Sequence, residues 1–371
     1  MIVRFWGVRG SLPTPSIANL KYGGNTPCVE VCTNSGQLII LDAGTGIRAL
    51  GQRLMQEKPP DGHRIMLFLT HYHWDHIQGI PFFEPMYVPG NIIYLHGFKT
   101  AQASVESALG DQMANPFFPV DPSVMQATRH LYTIGEETLQ VGDAVVKTLF
   151  LNHPQGCLGY RIEADGHTIV YATDNEHGSE QHDRNVRELA RGADIFIYDT
   201  QYTTEEYEAK RGWGHSTWEV GVDIARETGA KNLILFHHDP DHSDSVLDEV
   251  LQAARKELPS TIAAFEGLQL DPSHAPGKSR TSFNKRYAAR HVVSIPVVVR
   301  IRDTGVKLAK TIVANISLDG AYILAPMPIE IGQEVEIELQ QGITNKPLKT
   351  SARVMRCERL GDKYGVGITF R

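Results

Sequence analysis

Thr70-His71-Tyr72-His73-Trp74-Asp75-His76 is the stretch that decides how this 371-residue chain is read. It sets four potential metal ligands within six residues, directly after the apolar segment Ile65-Met66-Leu67-Phe68-Leu69. A bounded aliphatic run of that length predicts a buried strand. The ligands then fall on the loop leaving the C-terminal end of a strand, where α/β proteins gather their chemistry. Alternation lets His71 and His73 point the same way, while Asp75 and His76 can turn toward a second ion. Imidazole with carboxylate suits zinc, and also iron or manganese.

Three further ligand candidates repeat the placement. His153 follows the apolar run 145–151, Asp174 follows 168–172, and His237 follows 232–236, ahead of its neighbour and competitor His238. One His or Asp after one strand says little, but several strand ends carrying ligands predict convergence on one site. Up to residue 270 strand-like and helix-like segments alternate. Strands are expected at 2–6, 28–33, 37–41, 65–70, 91–96, 145–150, 158–163, 168–172, 194–198 and 232–236, and helices at 47–57, 101–113, 183–191, 216–229 and 243–257. The last but one opens with Ser216-Thr217-Trp218-Glu219, which has the form of a capping box. This order predicts two sheets layered with helices outside.

These residues resemble the metallo-β-lactamase fold superfamily, through His71-x-His73-x-Asp75-His76, His153, Asp174, His237 and the early Leu41-Asp42-Ala43-Gly44. The resemblance implies an αβ/βα four-layer sandwich with two metal ions at one edge. His71, His73 and His153 would hold the first ion, Asp75, His76 and His237 the second, and Asp174 would bridge them; Asp75 would also count among the catalytic residues. Gly23-Gly24-Asn25-Thr26-Pro27-Cys28-Val29-Glu30 and Gly214-His215-Ser216-Thr217 are similar to the phosphodiesterase branch, which includes RNase Z-like and phosphoribosyl cyclic phosphodiesterase-like enzymes. There His215 would give the leaving alkoxide its proton, steadied by Asp199. RNase Z-type enzymes carry a long RNA-clamping arm between the third His ligand and the bridging Asp. Here that interval holds two expected strands and a turn at Asp165-Gly166, so a small cyclic or nucleotide-like phosphodiester is the expected substrate. The Phe- and Pro-rich loops 81–90 and 115–119 are candidates for a pocket wall, and Arg9, Tyr22 and Arg48 for neighbours of the site.

Past Asp271 the chain changes character. Residues 271–284 are rich in Pro, Gly and Ser, the mark of a linker. Beyond them six short strands are expected at 292–301, 309–314, 321–324, 334–339, 350–356 and 366–370, a small β-barrel. Residues 272–371 carry 16 Lys and Arg against 8 Asp and Glu, a net of +8, whereas residues 1–271 carry 20 against 35, a net of −15. Arg286-x-x-x-Arg290 can fork onto phosphates and stack on a base, and Asn315-x-Ser317-x-x-Gly320 offers donors opposite. The pair resembles the PilZ domain, whose RxxxR and (D/N)xSxxG motifs bind cyclic di-GMP, and Tyr364–Phe370 has a PilZ-like ending.

The expected organisation is thus a catalytic domain over 1–270, a linker over 271–284 and a cyclic di-GMP-binding barrel over 285–371. Composition is that of an ordinary globular protein, 42% hydrophobic and 21% charged. No apolar run approaches the length of about 20 residues that spans a bilayer, and residues 1–6 read as a strand rather than a secretion signal. Four cysteines make no disulfide framework. Cys28 and Cys32 read as core residues, and the cytoplasm is the expected compartment. The acidic body is a poor host for long nucleic acid, and a homo-oligomer is compatible with the sequence. Two rivals stay open: a lactonase or thioesterase on the same metals, and a di-iron oxygen sensor or adaptor without enzymatic activity.

Overall fold

The computed structural model describes residues 1–57, 59–273, 291–317, 320–339, 348–361 and 363–370. The chain divides into two compact units, Met1–Thr281 and Ser282–Arg371. Arg286 and Arg290 lie outside the described residues.

In the first unit, β1 (Ile2–Gly7), β2 (Cys28–Cys32), β3 (Leu38–Leu41), β4 (Arg64–Phe68), β5 (Ile92–Gly97) and β6 (Thr128–Thr133) belong to one sheet. Then β7 (Thr138–Val141), β8 (Ala144–Leu151), β9 (Cys157–Ala164), β10 (His167–Ala172), β11 (Ile195–Asp199), β12 (Leu233–Phe236) and β13 (Ile262–Ala263) form the other, and β14 (Gln269–Leu270) returns to the first. The orders are β14-β1-β2-β3-β4-β5-β6 and β13-β12-β11-β10-β9-β8-β7. The helices are α1 (Ile47–Glu57), α2 (Trp74–Ile77), α3 (Val105–Asp111), α4 (Glu180–Ala190), α5 (Thr204–Lys210), α6 (Trp218–Thr228) and α7 (Asp244–Glu257). Of these, α1 and α3 pack on the first sheet, and α4, α6 and α7 on the second.

Period-two alternation sorts each strand between two cores. Ile169 and Tyr171 of β10 face the inter-sheet core with Phe5, Val31, Phe68 and Phe236. Val170 and Ala172 face the helices with Val186, Leu189 and Val222. Burying each such aliphatic or aromatic side chain stabilises the fold by about 1.5–3 kcal/mol. Strands covered on both faces have no polar side to show, which is why β3, β4 and β12 read as continuous apolar runs. Between β9 and β10 stands a two-residue turn, Asp165 and Gly166, with φ of 55° and 76°. Both values are positive, as a tight hairpin of matching twist requires.

The expected helix start at Ser216 is shifted by one residue. Thr217 caps α6, its hydroxyl accepting from Val220 N at 3.4 Å. Ser216 Oγ is engaged instead by Tyr198 Oη at 3.1 Å and His177 Nδ1 at 2.9 Å.

In the second unit β15 (His291–Ile301), β16 (Lys307–Ser317), β17 (Gly320–Ala325), β18 (Glu334–Leu339), β19 (Leu348–Leu360) and β20 (Lys363–Phe370) close a barrel in the order β15-β16-β17-β20-β19-β18. Val297, Val299, Val313, Ile323, Val335, Ile337, Val354, Val366 and Ile368 fill it. Gly320 pairs with Ser317 as β17 starts, and a Cβ there would run into Ile368 O, so the close approach of β20 requires glycine. Asn315 and Ser317 stand on β16, and their side chains lie outside the described residues.

Candidate metal centre

The site forms where strand ends of both sheets meet. Asp42 leaves β3, residues 70–76 leave β4, His153 leaves β8, Asp174 leaves β10, Asp199 ends β11 and His237 leaves β12. Parallel register aligns the last three: Ala172 pairs with Tyr198, and Asp199 with Phe236. Asp42, Asp174 and His237 have φ of 60°, 55° and 60°. Left-handed backbone at non-glycine residues is costly and collects at functional sites. Here it lets the chain turn sharply off a strand and aim the side chain along the sheet edge.

Two donor clusters result: His71, His73 and His153, then Asp75, His76, Asp174 and His237. Asp174 faces both. Its Oδ1 lies 3.7 Å from His71 Nε2 and 3.8 Å from His153 Nε2, and its Oδ2 lies 3.2 Å from His76 Nε2 and 3.4 Å from His237 Nε2. Asp75 Oδ2 lies 3.2 Å from both His76 Nε2 and His237 Nε2.

The atoms behind the rings decide which nitrogen each presents. His153 Nδ1 donates to Gly214 O at 2.8 Å, and His237 Nδ1 donates to Gln201 Oε1 at 2.8 Å. His76 Nδ1 donates to Asp42 Oδ2 at 2.8 Å. Each acceptor fixes the proton on Nδ1 and leaves Nε2 for an ion. His73 is turned the other way: Nε2 meets Gln155 Oε1 at 3.0 Å and Nδ1 faces His153 Nε2 at 3.1 Å.

This donor set fits divalent cations. His71 Nε2 is buried without a hydrogen-bond partner, an atom that only an ion or water can satisfy. Burial drives His153 down to about 4, keeping it a neutral imidazole ready to ligate. Burial would also lower His237, but Asp174 and Asp75 outweigh it and push the ring up to about 9, so the carboxylates demand positive charge in the second cluster. Three N donors on one side and mixed N and O donors on the other suit zinc, manganese or iron.

His238 points elsewhere, donating from Nε2 to Ala264 O at 2.8 Å. His215 stands beside the clusters, its ring stacked 4.9 Å from His237. Its Nδ1 donates to Asp199 Oδ2 at 2.8 Å, and Asp199 in turn accepts from Gln201 N at 3.1 Å. Asp174, Asp199, His215 and His237 also form a third ligand-sized group.

Above the donors opens a cleft of about 460 Å³ lined by Ser11, Tyr72, His73, Trp74, Asp75, Asp174 and His215. The Phe-rich loops do not line it. Phe83 is wholly buried, and Phe82 and Phe118 pack on each other at 5.8 Å. The aromatic wall comes from Tyr72 and Trp74, interleaved with the ligands. Tyr72 spends its hydroxyl on Phe98 O, whereas Trp74 is 80% exposed. Arg9 and Tyr22 are buried away from the cleft: Arg9 donates to the carbonyls of Gly23, Asp239 and His242, and Tyr22 to Asp248. Arg48 is an exposed residue of α1 and does not line the cleft either. Sequence reasoning missed Asp42 as a ligand-orienting carboxylate, and Ser11, whose N–H donates to Asp75 Oδ2 at 2.8 Å.

Comparison with known proteins agrees with this architecture. The family described as a beta-lactamase superfamily domain matches residues 37–238, and the PilZ domain family matches residues 284–371. The chain is 24% identical over 322 residues to the ribonuclease Z of Methanosarcina mazei, covering 73% of this chain and 98% of that protein. Zinc-bound PqqB from Methylobacterium extorquens superposes with a TM-score of 0.55 at 16% identity, over 73% of this chain and all of that one. A diphosphatase from the PhnP family gives 0.54 at 20% identity, over 73% of this chain and 97% of that one.

Proposed function

This chain belongs to the beta-lactamase superfamily domain family and carries a PilZ domain behind it, and on that premise we propose a metal-dependent phosphodiesterase regulated by cyclic di-GMP. Its substrate is a small cyclic or nucleotide-like phosphodiester. The catalytic part is residues 1–270, the linker 271–284 and the regulatory barrel 285–371.

His71, His73 and His153 would hold one divalent ion, Asp75, His76 and His237 would hold a second, and Asp174, which faces both clusters, would serve both. When bound, such a pair supplies Lewis acidity and an activated water. The rest of the chemistry is the protein's own. His215 borders the cleft, and its Nδ1–H is held by Asp199, so Nε2 is the atom offered to substrate. As imidazolium it donates a proton to the departing oxygen, and the buried Asp199 carboxylate stabilises the charged ring before transfer. The observation that carries the phosphoryl reading is this His215–Asp199 pair beside Asp174: an alkoxide leaving phosphorus needs a proton at that place. A cleft of about 460 Å³ in an acidic unit suits a small substrate better than a long polyanion.

Regulation rests on the PilZ match over 284–371, the +8 net charge of residues 272–371 and the tight start of β17 at Gly320. Arg286 and Arg290 grip the phosphates of cyclic di-GMP, and Asn315 and Ser317 complete its site. The ligand alters hydrolysis by binding the active and inactive arrangements with different affinity. The deciding experiment is a screen of nucleotides, cyclic phosphodiesters and lactones with and without cyclic di-GMP. Calorimetry of cyclic di-GMP binding to wild type and Arg286→Ala runs alongside. Turnover of a phosphodiester that changes on adding cyclic di-GMP is the expected result. Opening of lactones with no phosphodiester turnover sinks the catalytic reading, and absence of binding heat in wild type sinks the regulatory one.

A further inference from the structure

Two residues beyond Asp174, Glu176 joins the three segments that meet behind His153 and His215. Its Oε1 accepts from Gly212 N at 2.7 Å and Tyr207 Oη at 3.0 Å, and its Oε2 accepts from Gly214 N at 2.9 Å. Its backbone is paired both ways with Asn152, the residue before His153: Glu176 N donates to Asn152 O at 2.7 Å, and Asn152 Nδ2 donates to Glu176 O at 2.8 Å. The Gly214 carbonyl, on the far side of the amide that Glu176 holds, is the group to which His153 Nδ1 donates.

In the segment after α5, Arg211-Gly212-Trp213-Gly214, the other ties sit at its start: Trp213 N donates to Lys210 O at 3.2 Å and Arg211 Nη2 to Glu208 at 2.7 Å. Gly212 and Gly214 have φ of 85° and 89°, and the Trp213 side chain is 62% exposed. A Cβ on Gly214 would run into His153 Nδ1 and Pro154, so this glycine is required by how closely the loop covers the ligand. Hydrogen bonds to an ionised acceptor are roughly twice as strong as neutral ones. Burial would raise the Glu176 carboxyl, but the Gly212 and Gly214 amides and Tyr207 hold it below its usual range.

We propose that Glu176 is a positioning residue that sets two functional groups at once. By fixing Gly214 it aims the carbonyl that keeps His153 in the Nε2-presenting tautomer, and it places His215, the next residue, over the cleft. The inference rests on the ligand and proton-donor roles given above.

Glu176→Gln is the near-isosteric test. Its amide can serve Gly212 N and Tyr207, but its NH₂ then confronts the Gly214 N–H donor. Zinc affinity is measured by competition with a chromophoric chelator, separately from turnover. One of the two zinc ions is expected to bind about 10–100-fold more weakly, the usual effect of removing an outer hydrogen-bond partner. On zinc-saturated protein kcat falls while KM stays within about 3-fold, because the displaced His215 serves the leaving oxygen in the transition state and does not hold the substrate before it. Tyr207→Phe removes one of the carboxylate's three donors without touching the loop, and shifts both readouts in the same direction by a smaller factor. Wild-type zinc affinity and wild-type kcat in both variants overturn the proposal, as does a variant in which both ions weaken equally while thermal unfolding collapses. If wild type turns over no phosphodiester, the functional reading fails, but the zinc competition still decides the role of Glu176.

Discussion

Asp42 Oδ2 accepts a 2.8 Å hydrogen bond from His76 Nδ1, and both side chains are wholly buried. The same carboxylate takes Thr70 N at 2.8 Å and Tyr171 Oη at 2.9 Å, so three strands converge on one acidic side chain. Its task is to hold the His76 ring with Nε2 toward Asp174. Asp42→Asn keeps the shape but offers an NH₂ where a donor already stands. Affinity for one zinc ion is expected to fall about 10–100-fold, leaving near one equivalent after dialysis against a weak chelator, read by elemental analysis. Retention of two equivalents would remove Asp42 from the ligand-orienting role.

Asp174 differs in kind, because its two oxygens face different clusters, 3.7 Å from His71 on one side and 3.2 Å from His76 on the other. Asp174→Ala removes a donor from both, and metal content is expected to drop below one equivalent with turnover abolished. His238→Ala makes the contrast. That ring serves Ala264 O, so both ions stay bound while the unfolding midpoint falls.

How much of this was legible follows from where information sits in a chain. His71 to His76 is a local pattern; Asp174 and His237 follow strands whose ends are buried on both faces and read as apolar runs, and His153 follows β8, whose burial alternates along a largely apolar sequence. The unforeseen strands, β6, β7, β13 and β14, are the four outer edges of the two sheets. An edge strand such as Thr128–Thr133 has no buried side chain, and although its exposure alternates, its residue types do not alternate between apolar and polar. The helix α5 was missed because its seven residues contain one buried side chain, Tyr207, and it stands on the capping box of Thr203 and Glu206 instead. Asp42 entered only as part of the Leu41–Gly44 motif, without its orienting role, and Glu176 not at all, for another reason. Their work is done by hydrogen bonds to residues far along the chain, and nothing in local spacing records those.

His215→Ala is expected to leave both metal ions in place and to lower kcat about 10²–10⁴-fold on a substrate with an alkoxide leaving group. On bis-p-nitrophenyl phosphate the loss shrinks to roughly 10-fold or less, because nitrophenolate departs without needing a proton. Steady-state kinetics on the two substrates checks this. Equal losses on both would mean that His215 binds metal or substrate rather than donating the proton, a reading that the third ligand-sized group around it makes concrete.

Trp74 stands in sequence between the metal-donor candidates His73 and Asp75, and it is 80% exposed at the cleft wall, so its indole is open to a base entering the cleft. Stacking of a base on an aromatic ring contributes about 1–3 kcal/mol. Trp74→Ala is therefore expected to raise KM for a cyclic nucleotide roughly 5–150-fold and to leave KM for a base-free cyclic phosphate nearly unchanged. Quenching of Trp fluorescence by adenosine monophosphate in wild type, lost in the variant, gives the same answer without turnover. Parallel KM changes on both substrates would contradict stacking.

His96 supplies a pH dependence remote from the metal centre. Its ring is sandwiched between Phe68 at 4.3 Å and Tyr132 at 5.0 Å, and its Nδ1 has no hydrogen-bond partner. Burial lowers its pKa from the ordinary 6.5, against weaker upward pulls from the backbone at Leu67 and Tyr94. The unfolded chain therefore binds the proton first as pH falls. The stability that depends on a neutral His96 is complete above 6.5 and is lost as pH drops from there toward the folded-state value. His96→Phe keeps the stack and removes the titration. Between about pH 7.5 and 5.5 wild type is expected to lose more stability than the variant, read from urea midpoints at each pH. Loss of metal at low pH affects both proteins alike, so the difference isolates His96; parallel curves would show that the ring takes up a proton in the folded state as readily as in the unfolded one.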